Sequence, residues 1–181
     1  MLVLVGKSAS GKTEAAKLLV TKYQMEKLIT CTTRAKRAGE QNDIDYHFLT
    51  EEQFLAKIQN DEFIEFQRYN NCYYGSLKSD VSDNKVIILE PLGIQKYKEQ
   101  GIPFYAIYLD IDKETRFNRM LKRGDGKEKA EERIINDDLV FGSDLLEIAD
   151  LVISDSNLSI EQITDMIYQA YKRGFRKWMK L

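Results

Sequence analysis

Histidine occurs once among the 181 residues and cysteine twice, and this scarcity removes several kinds of chemistry. Cys31 and Cys72 form no CxxC pair and no ligand cluster with His47. They read as buried or neutral thiols, and a chain of this size buries most of its apolar surface without disulfides or structural metal. His47, between Tyr46 and Phe48, reads as a satisfied or solvent-facing imidazole. No apolar run approaches the ~20 residues that cross a bilayer. The opening stretch Met1 to Val5 is too short for a signal-peptide core, and no charged stretch precedes it. A cytoplasmic protein with no membrane partner is the expectation. Lys and Arg number 27 against 29 Asp and Glu, a net charge of −2, so nothing global attracts nucleic acid. The basic tail from Lys172 to Trp178 reads as a solvated helix end with Trp178 packed on the core, and no nucleic-acid partner is expected. Internal repeats and low-complexity linkers are missing as well.

What remains is 43% hydrophobic and 31% charged, the balance of one ordinary globular domain. Leu2 to Val5 is a continuous aliphatic run, as a strand buried on both faces requires. A glycine-bearing loop follows, then a helix from about Lys12 to Tyr23. Lys27 to Thr33 reads as a strand, Tyr46 to Phe48 as a short one, and Phe63 to Tyr69 as another. Thr50-Glu51-Glu52-Gln53 is a capping box with Leu49 and Phe54 as its staple, so a helix runs from there to about Asn60. Val86 to Leu89 and Phe104 to Leu109 are buried-strand runs separated by about a helix. Charged helical segments cover Lys113 to Lys122 and Lys127 to about Phe141, and Leu151 to Ile153 is a last short strand. Ser159 to Gln162 repeats the capping box, with Leu158 and Ile163 as the staple. Strands alternating with helices predict an α/β fold with a mostly parallel sheet covered on both sides.

Gly6-Lys7-Ser8-Ala9-Ser10-Gly11-Lys12-Thr13 satisfies G-x-x-x-x-G-K-[ST] between a buried strand and a helix. The glycines let successive N–H groups point at phosphate oxygens, and the helix adds its positive dipole end. Lys12 bridges the β- and γ-phosphates in such a loop, and the Thr13 hydroxyl ligates magnesium. The motif announces a nucleoside triphosphate without naming the reaction. A second anion site lies downstream. Arg34 and Arg37 stand three apart on a short connection with Gly39 and Glu40, where two guanidinium forks can converge on one phosphate. Tyr46, Tyr73 and Tyr74 supply neutral phenolic donors nearby.

At these positions the chain resembles the guanylate kinase family. The resemblance is carried by residues 6–13, by Thr33-Arg34-x-x-Arg37-x-Gly39-Glu40, by Asp45-Tyr46-His47-Phe48, and by Glu62-Phe63-Ile64-Glu65. Tyr73-Tyr74-Gly75-Ser76, Arg119-Met120-Leu121-Lys122-Arg123-Gly124 and Arg133 complete it, over about residues 2–170. The resemblance implies a P-loop NTPase core (1–29, 81–113 and 143–181) with an inserted GMP-binding region (30–80) and a helical lid (114–142). It implies Mg²⁺ as cofactor, ATP and GMP as substrates, and a monomer or weak homodimer. By the same resemblance Arg34, Arg37, Tyr46 and Tyr74 hold the GMP phosphate, and Glu40 on the same connection belongs with the substrate-binding residues. Thr30, Glu65 and Ser76 face the guanine, whose N1–H and N2–H₂ donors suit one carboxylate. Arg119, Arg123 and Arg133 join Lys12 in neutralising charge during transfer.

Four positions depart from the family's pattern. Ala9 replaces a loop glycine, Ile88 and Glu90 replace two aspartates of an Asp-x-Asp run, and Asp155 stands for an asparagine. Ile88 removes a carboxylate beside the magnesium waters, while Glu90 is one methylene longer at a base-reading position. The rivals are a related P-loop kinase for another monophosphate or a phosphorylated sugar, and a non-catalytic guanylate-kinase-like binding module.

Overall fold

The computed structural model describes residues 1–69, 71–142 and 144–178. Its centre is β1 (Leu2–Gly6), whose five residues are all buried. Successive side chains of a strand point to opposite faces, and here both faces are covered. Leu2 and Leu4 pack with Ala15, Leu19, Ile107, Ile163 and Ile167 on one side. Met1, Val3 and Val5 pack with Ile87, Ile94, Tyr97, Tyr108 and Leu145 on the other. An uninterrupted aliphatic run is therefore what the position needs.

Around β1 runs a five-stranded sheet. Its other members are β2 (Glu26–Lys27), β7 (Lys85–Ile88), β8 (Tyr105–Leu109) and β9 (Leu151–Ile153), in the order β2-β7-β1-β8-β9. Every pairing is parallel. Helix α1 (Lys12–Tyr23) leaves the C-terminal end of β1, exactly the residues the sequence predicts.

A second, mixed sheet holds β3 (Cys31–Thr32), β4 (His47–Phe48), β5 (Phe63–Tyr69) and β6 (Cys72–Leu77), in the order β4-β3-β6-β5. Helix α2 (Glu51–Gln59) covers it. Its capping box is formed, with Thr50 accepting from Gln53 N and the Gln53 side chain accepting from Thr50 N. Phe54 stacks on Phe63 at 4.4 Å and on Tyr73 at 5.2 Å to make a small separate core.

Two strands differ from expectation. The predicted strand over Lys27 to Thr33 is divided, with its first part in the parallel sheet and Cys31–Thr32 in the mixed one. Leu28 serves the core under β1 while Cys31 serves the one under α2, so one apolar run feeds two cores. The sequence shows β6 only as a polar motif, because its glycine and tyrosines hide the alternation.

The remaining helices are α3 (Pro91–Glu99), α4 (Lys113–Lys122), α5 (Lys127–Val140), α6 (Asp144–Ile148) and α7 (Ile160–Trp178). α6 has no counterpart in the sequence reading. α4 and α5 form a hairpin closed by Met120, Ala130 and Ile134, with Phe117 and Ala9 against them. The second capping box also forms, Ser159 N donating to Gln162 Oε1 and Gln162 N to Ser159 Oγ. The Trp178 side chain, expected on the core, lies outside the described residues. Among the described residues no helix is long and apolar enough to cross a membrane.

Candidate active site

The phosphate loop joins β1 to α1. Gly11, at the N-cap of α1, has φ 105°, a left-handed value that glycine adopts without steric cost. The first-turn amides of α1 then face the loop, as an anion site requires. Lys12 Nζ donates to the carbonyl of Gly6 and, at 2.9 Å, to that of Lys7. Burial lowers its pKa to about 8, opposed by the Asp137 and Glu90 carboxylates and reinforced by the Arg116 guanidinium. Ser10 is fully buried beneath the loop, with its hydroxyl 3.5 Å from the Lys12 ammonium.

Two clefts meet at Lys12. The first, about 440 Å³, is lined by Ala9, Gly11, Lys12, Thr13, Arg119 and Arg123, with Ile160 and Ile163 as an apolar wall. The second, about 570 Å³, reaches from Gly6, Ser8 and Lys12 to Thr30, Tyr46, Glu65, Tyr74, Ser76 and Glu90. The exposed side chains of Phe66, Ile88 and Leu92 form its apolar lip. The structure thus gathers six of the residues singled out around the acceptor into one cavity that opens onto the phosphate loop.

Local register explains the far end of that cavity. A register shift between Phe63 and Glu65 sets Glu65 opposite Ser76 and sends Ile64 into the core under β1. Such a bulge re-aims the side chains around it. Ser76 Oγ donates to Glu65 Oε1 at 2.8 Å. Burial raises the Glu65 pKa, while the hydroxyl and amide of Ser76 oppose the rise. A Cβ on neighbouring Gly75 would lie 2.8 Å from Glu65 O and 2.9 Å from the Phe63 ring, so only glycine allows the two strands to approach here. Behind Ser76 stands Tyr97, fully buried, whose hydroxyl has no hydrogen-bond partner among the described residues.

The arginine-bearing connection is braced from within. Arg34 Nη2 donates to Glu40 Oε1 at 2.8 Å, and Arg37 N donates to Glu40 Oε2 at 2.8 Å. The Arg34 guanidinium lies 5.4 Å from the Tyr46 ring and 5.8 Å from that of Phe48. Glu40, grouped with the substrate-binding residues, is here the partner of Arg34. That ion pair holds the Arg34 pKa up and the Glu40 pKa down. Arg34, Arg37 and Glu40 do not line the second cleft. His47 is satisfied as expected, with Nδ1 2.6 Å from Asp43 Oδ1 and Nε2 3.0 Å from Asp80 Oδ2. Cys31 is buried, its thiol pushed up to about 12 by burial.

Of the three arginines singled out on the α4–α5 hairpin, Arg119 Nη1 donates to the Ala9 and Ser10 carbonyls at 3.3 Å. Arg123 donates to Asp125 through Nε at 2.8 Å and through Nη2, and Arg133 lies 3.7 Å from the same carboxylate. Asp125 therefore holds two of the three together at the tip of the hairpin. Sequence reading missed Asp137 and Arg116, which lie at the hairpin's base against the loop. Their trace in the sequence is slight: Arg116 is four residues before Met120, so a cation sits on the buried stripe of α4.

Among the described residues no three His, Cys, Asp or Glu side chains gather as a metal site. Magnesium bound through a single hydroxyl, substrate phosphates and water needs no such cage, and Thr13, which lines the same cleft as Lys12, fits that mode.

The family profile described as guanylate kinase matches residues 1–170. The chain belongs to the guanylate kinase family. A guanylate kinase of Mycoplasmopsis pulmonis is 37% identical over 144 residues, 71% of this chain and 74% of that protein. One of Thermotoga maritima is 31% identical over 141 residues, 71% of this chain and 66% of that protein. A guanylate kinase crystal structure from Anaplasma phagocytophilum superposes with a TM-score of 0.63 at 24% identity, covering 96% of this chain and 85% of that one. That likeness supports the P-loop fold.

Proposed function

We propose that the protein moves the γ-phosphoryl group of Mg-ATP onto the phosphate of GMP, giving ADP and GDP. Lys12 carries this reading, because one ammonium lines both clefts. ATP lies along the cleft of Thr13, Arg119 and Arg123, with the loop amides around its phosphates. GMP lies along the other, with its phosphate near Tyr46, Tyr74, Arg34 and Arg37 and its base on Glu65, Ser76, Thr30 and Glu90. Residues 30–80 act as the acceptor-binding region and 114–142 as the lid on a core of 1–29, 81–113 and 143–181.

In the transfer the bond from the γ-phosphorus to the β,γ-bridging oxygen breaks as an acceptor phosphate oxygen bonds to that phosphorus. The electron pair leaves with ADP. No general base is required, since the acceptor oxygen is already anionic. Lys12, the loop amides and the arginines of the lid neutralise charge spread over the equatorial oxygens. The Thr13 hydroxyl would hold a magnesium ion, which would supply further charge neutralisation. Glu65 accepts from guanine N1–H and N2–H₂, donors that adenine lacks in that arrangement. We place the protein in the cytoplasm as a monomer or weak homodimer, acting on small molecules and on neither nucleic acid nor membrane.

Coupled ADP release measured across GMP, IMP, AMP, CMP and UMP tests the reading. GMP should lead in kcat/KM by ~10⁴-fold or more over AMP, because unpaired polar groups penalise the wrong base. IMP, which keeps N1–H and lacks the amine, should fall between. A pyrimidine or AMP as best acceptor would leave a kinase of another specificity.

A further inference from the structure

Three observations converge where the α4–α5 hairpin meets the phosphate loop. Ala9 has φ 59°, a left-handed conformation that a residue with a Cβ keeps only when its surroundings over-determine it. The residue before it is gripped by both of its polar groups. Ser8 N donates to Asp137 Oδ2 at 2.8 Å, and Ser8 Oγ donates to Asp137 Oδ1 at 3.0 Å. Asp137 is in turn fixed: Arg116 Nη1 donates to its Oδ2 at 2.9 Å, and Arg116 Nε donates to Ile111 O at 3.0 Å. Arg116 is 1% exposed and Asp137 8%.

A buried ion pair is by itself weak evidence for stability, since desolvation offsets most of its attraction. What this pair does is present a rigid acceptor to two groups of one loop residue. The Ala9 methyl packs on the Met120, Ala130 and Ile134 cluster, so the strained residue is seated from the other side as well. Arg119 also bonds the Ala9 and Ser10 carbonyls. Its guanidinium, however, is one of the groups that turn to the phosphates during transfer. Asp137, an anion, has no such alternative partner there.

We infer that Asp137 is a positioning residue for the phosphate loop: anchored by Arg116, it holds Ser8 so that the left-handed turn at Ala9 is formed before nucleotide arrives. Glycine makes such a turn without help; with alanine in its place, this chain uses a carboxylate from the lid's base. Loop order and lid anchoring are then one arrangement. This deepens the kinase reading and rests on it.

The test is a double-mutant cycle on the full chain, read as Mg-ADP affinity by calorimetry with melting temperature alongside. D137N keeps the shape and removes the charge, and should weaken ADP roughly tenfold or more, the scale of a lost charge-assisted hydrogen bond. The same substitution made together with A9G should cost clearly less, because the turn no longer needs holding. If D137N does not fold, S8A, which removes only the hydroxyl contact, serves in the same cycle with a smaller loss of the same sign. Losses that multiply independently of residue 9 would overturn the inference. So would a lower melting temperature with ADP affinity unchanged, the mark of a strut for the fold alone. Tighter ADP binding in D137N would overturn it too, making the carboxylate a competitor of phosphate. Wild-type protein that binds no Mg-ADP would remove the kinase reading, and this inference with it.

Discussion

Ser76 faces Glu65 across β5 and β6, and its hydroxyl donates to Glu65 Oε1 at 2.8 Å. One carboxylate oxygen is thereby committed, which fixes the direction in which the other presents its lone pairs. Ser76 is fully buried, and burial raises the Glu65 pKa. Guanine donors favour the ionised form, so GMP affinity should be weakest at acid pH. It should strengthen as pH rises through the raised pKa of Glu65 and level off above it. Stability of the free protein runs the other way over the same window. An acid with a raised folded pKa holds its proton longer folded than unfolded, so stability falls as pH rises between the two values. Calorimetric GMP titrations at stepped pH, repeated on Glu65→Gln, check this. The variant should lose the pH dependence and compress the ratio of GMP to IMP.

Lys12→Ala should lower turnover by at least ~10²-fold, the scale of one lost preorganised electrostatic donor. GMP binding should change little, because the groups proposed to read the base lie at the other end of the cleft. Steady-state assays with saturating GMP separate the two effects, and near-normal turnover would sink the loop's assigned role.

Arg34→Lys should weaken GMP by roughly tenfold or more, since a lysine keeps the charge and loses the planar fork. It should also loosen the connection, because Arg34 both pairs with Glu40 and stacks beside Tyr46. Unchanged GMP affinity in this variant and in Arg37→Lys would mean that the acceptor phosphate lies elsewhere.

Tyr97→Phe should stabilise the protein. The Tyr97 hydroxyl is buried without a partner among the described residues, and leaving such a group unsatisfied costs about 1–3 kcal/mol. A gain of ~1 kcal/mol raises Tm by about 2–4 °C in a chain of this length. A lower Tm would show that the hydroxyl makes a bond in solution, with Ser76 the group it faces.

Much of this was legible in advance because single segments carried it. β1 and its loop are one uninterrupted pattern, and α1 has the predicted bounds. The capping box at Thr50 located α2 to within a residue. What stayed hidden depends on segments meeting. Arg116 and Asp137 are 21 residues apart and become partners only when the hairpin folds onto the loop. The register shift beside Glu65 leaves no mark in the sequence, since a bulge is a property of two strands together. Nor does the division of Lys27 to Thr33, because both cores ask for the same apolar residue types.

That division has a mechanical consequence. Leu28 N still bonds Val86 O in the parallel sheet at 2.9 Å, while Thr30 O already accepts from His47 N in the mixed sheet at 3.0 Å. Ile29 alone separates the two attachments, and the return crossing runs through the stretch from Lys78 to Asn84. Ile64 of β5 also packs into the core under β1, so the mixed sheet is tied to the parallel one by a buried side chain as well as by these two crossings, and the spacing of Glu65 and Ser76 from Lys12 rests on all three.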